Sequence, residues 1–317
     1  MKSFQFINLP VPVSQMIYGT AIRPLMEGGD ADEILDLVLE KGITTFDTAR
    51  SYGCSEEGLG RWIEKRGIRN KVNILTKGCN PDQTGIRFSK ESLTEELNQS
   101  LHFLKTDYVD MYCLHRDDPT VDVQVFIEVL NEFQAAGKIR IFGASNWNYR
   151  RMDAANEFAY AHNLSGFSFG SPAFSLAEVV RDPWGGSVHL SGKDNAEARE
   201  WFRKNKIPVF AYSSFARGFF SGKYRTDMGE KITEVLPSWT CEEYVCEEYI
   251  ERLHRAEILA KEKNSSVSQI NLAWILAQPF LCFPIFSPSS PTHLLENLEG
   301  MNLRLSEKEM LWLNLED

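Results

Sequence analysis

Short apolar runs alternate with amphipathic segments along all 317 residues of the chain. Each apolar run is short enough to be a strand and is bounded by polar or turn-forming residues. Continuous apolar strands are typical of parallel sheets that are buried on both faces. The eight runs cover residues 15–19, 44–47, 72–77, 108–115, 139–145, 166–170, 208–213 and 281–286.

The segments between these runs have the spacing of amphipathic helices. Their apolar residues recur every three or four positions, and several segments end in Gly, Asn or Lys, which commonly end helices. The clearest examples are residues 30–42, 89–106, 123–138, 148–163 and 195–206. Strands that alternate with helices in this way indicate an α/β fold with a parallel sheet.

Eight strand–helix units predict a single (β/α)8 TIM barrel, a fold that typically takes about 250 residues. An open doubly wound sheet is the alternative, but no Gly-x-Gly-x-x-Gly follows the first strand. We expect an N-terminal β-hairpin at residues 6–13 and an extra C-terminal helix at residues 305–317. No linker rich in Pro, Gly or Ser interrupts the pattern, which predicts one domain over residues 1–317.

Two connections are too long to be simple turns. Residues 171–194 follow the sixth strand, and residues 214–245 follow the seventh. Loops longer than about 15 residues are usually lids or binding elements. Because active sites of such barrels lie at the carboxyl ends of the strands, we expect both connections to border one.

The composition is that of an ordinary globular protein, with 43% hydrophobic and 25% charged residues. A net charge of −10 argues against a general nucleic-acid or anionic-membrane surface, because both require clustered positive charge. Six cysteines without a Cys-x-x-Cys pair are typical of free thiols in a reducing compartment. No secretion signal is evident, and the longest apolar run, residues 272–286, is interrupted by Gln278 and two prolines. We therefore expect a cytoplasmic protein without a membrane span.

Four polar residues end or follow consecutive predicted strands, namely Asp47, Tyr52, Lys77 and His115. Alone, each has an ordinary explanation as a helix cap, a packed ring, a solvated cation or a structural histidine. The carboxyl ends of neighbouring barrel strands converge, however, and buried lysine and aspartate are rare unless they are paired. Together the four residues therefore predict a functional site.

These four side chains fit proton transfer to an oxygen atom. A neighbouring ammonium group, here that of Lys77, lowers the pKa of a tyrosine, which would make Tyr52 a competent acid near neutral pH. Asp47 would pair with Lys77, and His115 would hydrogen-bond the substrate oxygen. None of the four is a strong nucleophile, so the set suits protonation of an oxygen while another group delivers a hydride.

Five motifs resemble those of the aldo-keto reductase family, in the same order and across essentially the whole chain. The motifs are GITTFDTARSYG, ILTKG, YCLHRDD, GKIRIFGASNW and YSSFARGFFSGKY. The resemblance implies a barrel that binds NADP(H) without a Rossmann fold and interconverts a small-molecule carbonyl and its alcohol. It also implies that Tyr52 is the general acid, that Lys77 and Asp47 tune it, and that His115 orients the carbonyl.

The same resemblance implies a set of cofactor-binding residues. Ser145 and Asn146 would hold the nicotinamide carboxamide, and Tyr212 would stack on the nicotinamide ring. Ser213, Phe215 and Arg217 would lie along the pyrophosphate, and Glu296 and Asn297 would contact the adenine. The other implied positions are Thr20, Ser171, Ser287, Ser289 and His293.

Two stretches depart from the family pattern. A glutamine that usually follows the sixth strand is replaced by Ser171, which would reach the carboxamide only through water. A Gly-x-Arg/Lys turn that usually follows the eighth strand and grips the adenosine 2′-phosphate is replaced by Ser-Pro-Ser-Ser at 287–290. Charge-assisted hydrogen bonds are about twice as strong as neutral ones, so we predict weakened discrimination for NADP(H) and use of NAD(H) as well. The alternative is a 2′-phosphate held near His293, Arg217 or the N-terminus of the following helix.

Two other functions fit parts of the pattern. A metal-dependent barrel hydrolase could use Asp47, His115, Asp117 and Asp118, although no His-x-His follows the first strand. A regulatory subunit could bind the cofactor without catalysis, although a pure binder would not need both a tyrosine and a lysine in the site. We favour the oxidoreductase, which requires no metal.

The sequence says little about the substrate. Trp147, Trp184 and Phe219 are candidates for lining its pocket, and Trp184-Gly185-Gly186 suggests a mobile lid. Such mixed aromatic and polar loops fit sugars, polyols and small aromatic carbonyls equally well. The oligomeric state is not predicted.

Overall fold

The strands form a short antiparallel sheet and a closed barrel. A computed structural model describes residues 1–81, 85, 88–182 and 184–316. In the N-terminal sheet, β1 (Ser3–Phe4) pairs with β2 (Val13–Ser14). The eight barrel strands are parallel and follow the order β10-β3-β4-β5-β6-β7-β8-β9, which confirms the predicted (β/α)8 fold with its N-terminal hairpin. Their bounds are β3 Ile17–Gly19, β4 Thr45–Asp47, β5 Asn73–Gly78, β6 Val109–Leu114, β7 Ile139–Ser145, β8 Gly170–Ser171, β9 Val209–Ala211 and β10 Cys282–Phe286.

The five helices predicted most clearly are all present, shortened by a few residues at their ends. The helices are α1 Arg23–Met26, α2 Asp32–Glu40, α3 Ser55–Arg66, α4 Lys90–Phe103, α5 Val123–Ala135, α6 Tyr149–Ala161, α7 Ala196–Asn205, α8 Ile232–Val235, α9 Ser238–Tyr244, α10 Glu247–Glu262, α11 Val267–Leu276, α12 Pro291–Glu299 and α13 Glu307–Leu313. The last of these is the extra C-terminal helix. In the part of the chain that the structure describes, no helix is both long enough and apolar enough to cross a bilayer.

Contacts between Cα atoms divide the chain into two compact units, residues 1–171 and 172–317. The single-domain interpretation therefore stays a prediction. In the first unit, strand register brings the carboxyl ends of β5 and β6 level, and β4 ends three residues earlier. Asp47 is opposite Leu75, and Lys77 is opposite Cys113. Both β5 and β6 are buried along their whole length, so polar side chains at their ends are held in a packed environment.

The sixth barrel strand lies later than the sequence predicts. The prediction was residues 166–170, whereas β8 spans Gly170–Ser171. Backbone hydrogen bonds already begin earlier, since Ser168 N donates to Phe142 O at 2.8 Å. A Cβ atom at Gly143 would lie 2.5 Å from the Phe169 ring, so the close approach of the two segments requires glycine there.

The second unit contains the paired strands β9 and β10 and the helices that follow them. The long connection at 214–245 is built of short helical segments, among them α8 and α9. The helix α11 begins with a capping box, in which Ser266 and Gln269 satisfy each other's backbone amides. It leads through a short turn into β10, as the apolar run at 272–286 predicts.

A buried carboxylate lies at the start of β6. The side chain of Asp110 is 1% exposed, and its oxygens lie 2.8 Å from Arg69 Nη2 and 3.5 Å from Arg140 Nε. The two guanidinium groups also lie 4.0 and 4.3 Å from the centroid of the Tyr108 ring. Burial raises the pKa of Asp110, and the opposing influence of Arg69 is the largest. The two arginines thus face this buried carboxylate and oppose the effect of burial on its pKa.

Replacing Asp110 with alanine is expected to lower the free energy of unfolding by about 3 kcal/mol, because it leaves two packed guanidinium groups without their shared anion. Urea denaturation followed by circular dichroism measures the change. Glu132, half-exposed and paired with Lys90, supplies the control. A Glu132→Ala change should cost about 1 kcal/mol or less. Equal losses in the two variants would contradict the expectation.

Candidate active site

A buried lysine links an aspartate to a tyrosine at the carboxyl ends of β4 and β5. Lys77 Nζ lies 2.5 Å from Asp47 Oδ1, and the two side chains are 2% and 4% exposed. The same nitrogen donates to Thr48 O at 2.9 Å and lies 3.3 Å from the Tyr52 hydroxyl. The ammonium group thus donates two hydrogen bonds and forms an ion pair with Asp47. These contacts fix the position of the Lys77 ammonium group between Asp47 and Tyr52.

The loop that carries Tyr52 is fixed by backbone hydrogen bonds. Past the end of β4, Thr48 N and Arg50 N donate to Leu75 O and Lys77 O of β5 at 2.8 and 3.0 Å. A turn then closes through Tyr52 N to Ala49 O at 3.0 Å. The left-handed φ of the following residue, +57°, and the nearby backbone explain the glycine at position 53. These hydrogen bonds fix the backbone position of Tyr52 relative to the end of β5.

Burial and the Lys77 ammonium act in opposite directions on Tyr52. Burial has the larger effect and raises the pKa of the Tyr52 phenol, while Lys77 lowers it. Lys77 thus lowers the pKa of Tyr52, as expected, but the sum of all effects raises this pKa, which was not expected. Burial likewise raises the pKa of Asp47 against the effect of Lys77. For Lys77, burial favours the neutral amine, but Asp47 and Tyr52 outweigh it and raise the pKa.

His115 follows β6 directly and faces Tyr52. The two ring centroids are 5.8 Å apart with a dihedral of 79° between the planes, and Ser51 Oγ lies 3.4 Å from His115 Nδ1. Burial, and then the charges of Lys77 and Arg116, hold the pKa of His115 well below its usual range. The imidazole is therefore neutral at neutral pH.

The residues predicted for the carboxamide lie beside this group. Ser145, the last residue of β7, donates from Oγ to Ser171 O at 2.7 Å. Asn146 Nδ2 donates to His115 O at 3.1 Å, and its backbone has a φ of +58°, which asparagine tolerates better than most residues. Thr20, directly after β3, has a buried Oγ1 without a hydrogen-bond partner among the described residues. The structure thus presents polar side chains at the ends of β3, β7 and β8.

In the second unit, the segment after β9 holds the residues predicted for the pyrophosphate. Tyr212 follows β9, and the backbone of Ser213 and Arg217 is left-handed, with φ values of +49° and +50°. The Arg217 guanidinium forms an ion pair with Glu243, whose side chain is 2% exposed, and lies 4.4 Å from the Trp184 ring centroid. Sequence reasoning missed Glu243, which lies in α9, because no motif or periodicity connects it to the arginine.

The segment after β10 lacks a cation, as its sequence shows. Ser287 and Ser289 are exposed, and residues 287–293 contain no lysine or arginine. Ser290 caps α12, with its hydroxyl accepting from His293 N at 3.3 Å. Further along α12, Glu296 accepts from Ser268 at 3.0 Å, and Asn297 follows it.

The carboxylates of the alternative metal site are already engaged. Asp117 binds Arg151 through two contacts of 2.7 and 2.9 Å. Asp118 accepts from the backbone and the hydroxyl of Thr120 at 3.0 and 2.6 Å. Over residues 1–81, 85, 88–182 and 184–316, no three His, Cys, Asp or Glu side chains are grouped as a metal would require.

Two of the three aromatic residues suggested for the substrate pocket belong to the core. Trp147 is 2% exposed and packs edge-on against Phe126 and Phe167 at 4.9 and 5.1 Å. Phe219 is fully buried. Trp184 is exposed, so of the three only this residue can contact a ligand without rearrangement of the core.

Comparison with known proteins identifies a family. The model of the aldo/keto reductase family matches residues 16–313. The chain is 29% identical to the aldo-keto reductase YhdN of Bacillus subtilis (strain 168), over 98% of this chain and 92% of that one. It is 27% identical to the aldo-keto reductase yakc of Schizosaccharomyces pombe, whose name carries NADP(+), over 89% and 82% of the two chains. A putative voltage-gated potassium channel subunit beta of the same yeast is also 27% identical, over 82% and 75%.

Proposed function

The chain belongs to the aldo/keto reductase family, and from that membership we propose that it interconverts a small carbonyl compound and its alcohol by hydride transfer. The observation that carries the proposal is the position of Lys77 Nζ, 2.5 Å from Asp47 Oδ1 and 3.3 Å from the Tyr52 hydroxyl. This arrangement of buried charge beside a phenol is suited to proton transfer.

Tyr52 acts as the general acid in the reduction. Its raised pKa keeps the phenol protonated in the neutral range, so a proton is available for the carbonyl oxygen. As the proton leaves, negative charge develops on the phenolate oxygen, and the Lys77 ammonium stabilises it across 3.3 Å. Asp47 keeps Lys77 charged and oriented. In alcohol oxidation, the phenolate takes the proton back.

His115 orients the substrate oxygen. Ser51 Oγ lies 3.4 Å from Nδ1, and in the tautomer protonated on Nε2 the imidazole donates a hydrogen bond to the carbonyl. A neutral imidazole polarises this oxygen without competing with Tyr52 as the acid, because its lowered pKa keeps it from supplying a second proton.

The polar residues at the strand ends fit a nicotinamide cofactor. When bound, the cofactor supplies the hydride for reduction or accepts it in oxidation. Ser145 and Asn146, which are hydrogen-bonded to each other, would hold the carboxamide. The buried Thr20 Oγ1 has no hydrogen-bond partner among the described residues and can donate to a bound polar ligand. Tyr212 would stack on the nicotinamide ring, and Ser213, Phe215 and Arg217 would lie along the pyrophosphate. Small-molecule partners and a cytoplasmic location belong to the same proposal.

The experiment is a tryptophan-fluorescence titration with NADPH and NADH, followed by absorbance assays of turnover on a broad carbonyl panel. Binding of either dinucleotide together with turnover of at least one carbonyl supports the proposal. One relative is named as a channel subunit, so binding without turnover on any carbonyl would favour a regulatory protein instead. Failure to bind either dinucleotide would refute both functions.

We expect the dissociation constants for NADPH and NADH to lie within about tenfold of each other, because residues 287–293 offer a 2′-phosphate no lysine or arginine. Ser289 is exposed, so arginine can be placed there without disturbing the core. Ser289→Arg should tighten NADPH binding by about tenfold and leave NADH binding unchanged. Ser289→Gln, which has a polar side chain without charge, is the control. NADPH binding a hundredfold tighter than NADH in the unaltered protein would contradict this prediction.

A further inference from the structure

A buried carboxylate that the proposed mechanism does not use lies behind the catalytic residues. Glu56, in the first turn of α3, is fully buried. Its Oε1 accepts from Thr76 Oγ1 at 2.6 Å, and its Oε2 forms an ion pair with Arg50. A charged group that is removed from water is costly unless it is paired and hydrogen-bonded. Thr76 and Arg50 supply this hydrogen bond and this ion pair to Glu56.

The partners of Glu56 are the chain neighbours of the two catalytic groups. Thr76 directly precedes Lys77 in β5, and Arg50 lies two residues before Tyr52. Successive side chains of a strand point to opposite faces, so Thr76 meets Glu56 on the face of β5 away from the Lys77 ammonium. Glu56 thus ties the loop that carries the acid to the strand that carries the ammonium.

The rest of this polar cluster supports the same link. Arg50 N donates to Lys77 O at 3.0 Å, and its guanidinium carbon lies 4.5 Å from the centroid of the Phe103 ring. Beside Glu56, Ser55 Oγ donates to Thr20 O at 2.9 Å. The first turn of α3 therefore holds the ends of three successive strand segments at fixed separations.

We propose that Glu56 is a positioning residue that sets the distance between Lys77 Nζ and the Tyr52 hydroxyl. That distance is 3.3 Å, near the outer limit of a hydrogen bond, so a small displacement of either segment weakens the contact. The consequence for turnover rests on the proposed function. The consequence for the titration of Tyr52 does not, because it concerns the free protein alone.

The test is Glu56→Gln, which keeps the shape of the side chain and removes its charge. Arg50, whose side chain is 26% exposed, can then turn to solvent and release the loop. We expect kcat to fall by about 10- to 100-fold, since displacement of a reacting group by about 1 Å can have such an effect. The KM and the dinucleotide dissociation constant should change by no more than about twofold. Ultraviolet difference titration against Tyr52→Phe protein should show a raised pKa of Tyr52, because a more distant Lys77 lowers it less.

Two further variants make the result specific. Thr76→Val removes only the bond on the strand side, and we expect it to lower kcat and raise the pKa of Tyr52 as Glu56→Gln does. It also carries the test alone if the glutamine variant does not fold. Glu57→Gln, at the neighbouring half-exposed position paired with Arg61, is the matched control and should behave as the unaltered protein does.

Some outcomes would overturn the inference and others the proposed function. An unchanged or lowered pKa of Tyr52 in both Glu56→Gln and Thr76→Val would show that Glu56 does not set the distance to Lys77. A loss of kcat proportional to the loss of folded protein would show the same. If Tyr52→Phe retains full turnover, the proposed function fails, while the titration still decides the role of Glu56.

Discussion

Tyr52→Phe is expected to lower kcat for carbonyl reduction by about 10²- to 10⁴-fold, the usual contribution of a positioned general acid. The substitution removes one oxygen atom and leaves Lys77 its contacts with Asp47 Oδ1 at 2.5 Å and Thr48 O at 2.9 Å. The local structure should therefore persist. Stopped-flow or steady-state absorbance assays at saturating dinucleotide measure the loss.

The dinucleotide dissociation constant of Tyr52→Phe should stay within about twofold of that of the unaltered protein. The removed hydroxyl is proposed to act on the carbonyl in the transition state and not to bind the dinucleotide. Tyr160, which lies on α6 and is 66% exposed, provides a matched Tyr→Phe control without effect on turnover. Retention of more than half of the activity in Tyr52→Phe would exclude this residue as the acid.

Lys77→Met is expected to abolish turnover and to lower the free energy of unfolding by about 3–5 kcal/mol. The methionine fills a similar volume, but the carboxylate of Asp47, 4% exposed, loses the cation that pairs with it. Burial already raises the pKa of Asp47, and removal of Lys77 removes the charge that opposes this rise. Chemical denaturation at several pH values measures the loss.

The pH dependence of that loss has a definite sign. A carboxyl group whose pKa is higher in the folded than in the unfolded state binds protons preferentially when folded, so acid favours folding. The destabilisation of Lys77→Met should thus be small below the pKa of an unfolded aspartate and grow as pH rises above it. Asp47→Asn combined with Lys77→Met removes both charges and should recover most of the stability but none of the activity. A single variant as stable as the unaltered protein would show that Asp47 does not need its cation.

The fold was predictable because it follows from local patterns. Buried parallel strands appear in the sequence as continuous apolar runs, and helices as three- and four-residue periodicity. Each of the eight barrel strands therefore overlaps a predicted run, although the sixth shares only Gly170 with its run. The proximity of Tyr52, Lys77 and His115 followed as well, since the carboxyl ends of parallel strands meet at one edge. Their catalytic roles stay predictions.

Features that depend on distant packing were not predictable. The net direction of the Tyr52 pKa depends on how deeply the ring is buried, which no local pattern gives. The pairing of Arg217 with Glu243 joins residues from separate segments of a long connection. Trp147 and Phe219 are of the residue types that often line ligand pockets, but contacts with distant parts of the sequence bury them in the core.

The division of the chain into residues 1–171 and 172–317 separates two kinds of sequence change. The first unit contains every contact between Asp47, Tyr52, Lys77 and His115, whereas almost all of the connections at 171–194 and 214–245 belong to the second. Insertions, deletions or exchanges within residues 172–194 and 214–245 therefore replace none of these four residues. A lineage can therefore keep the first unit unchanged while the connections of the second diversify, and an engineer can vary the two separately.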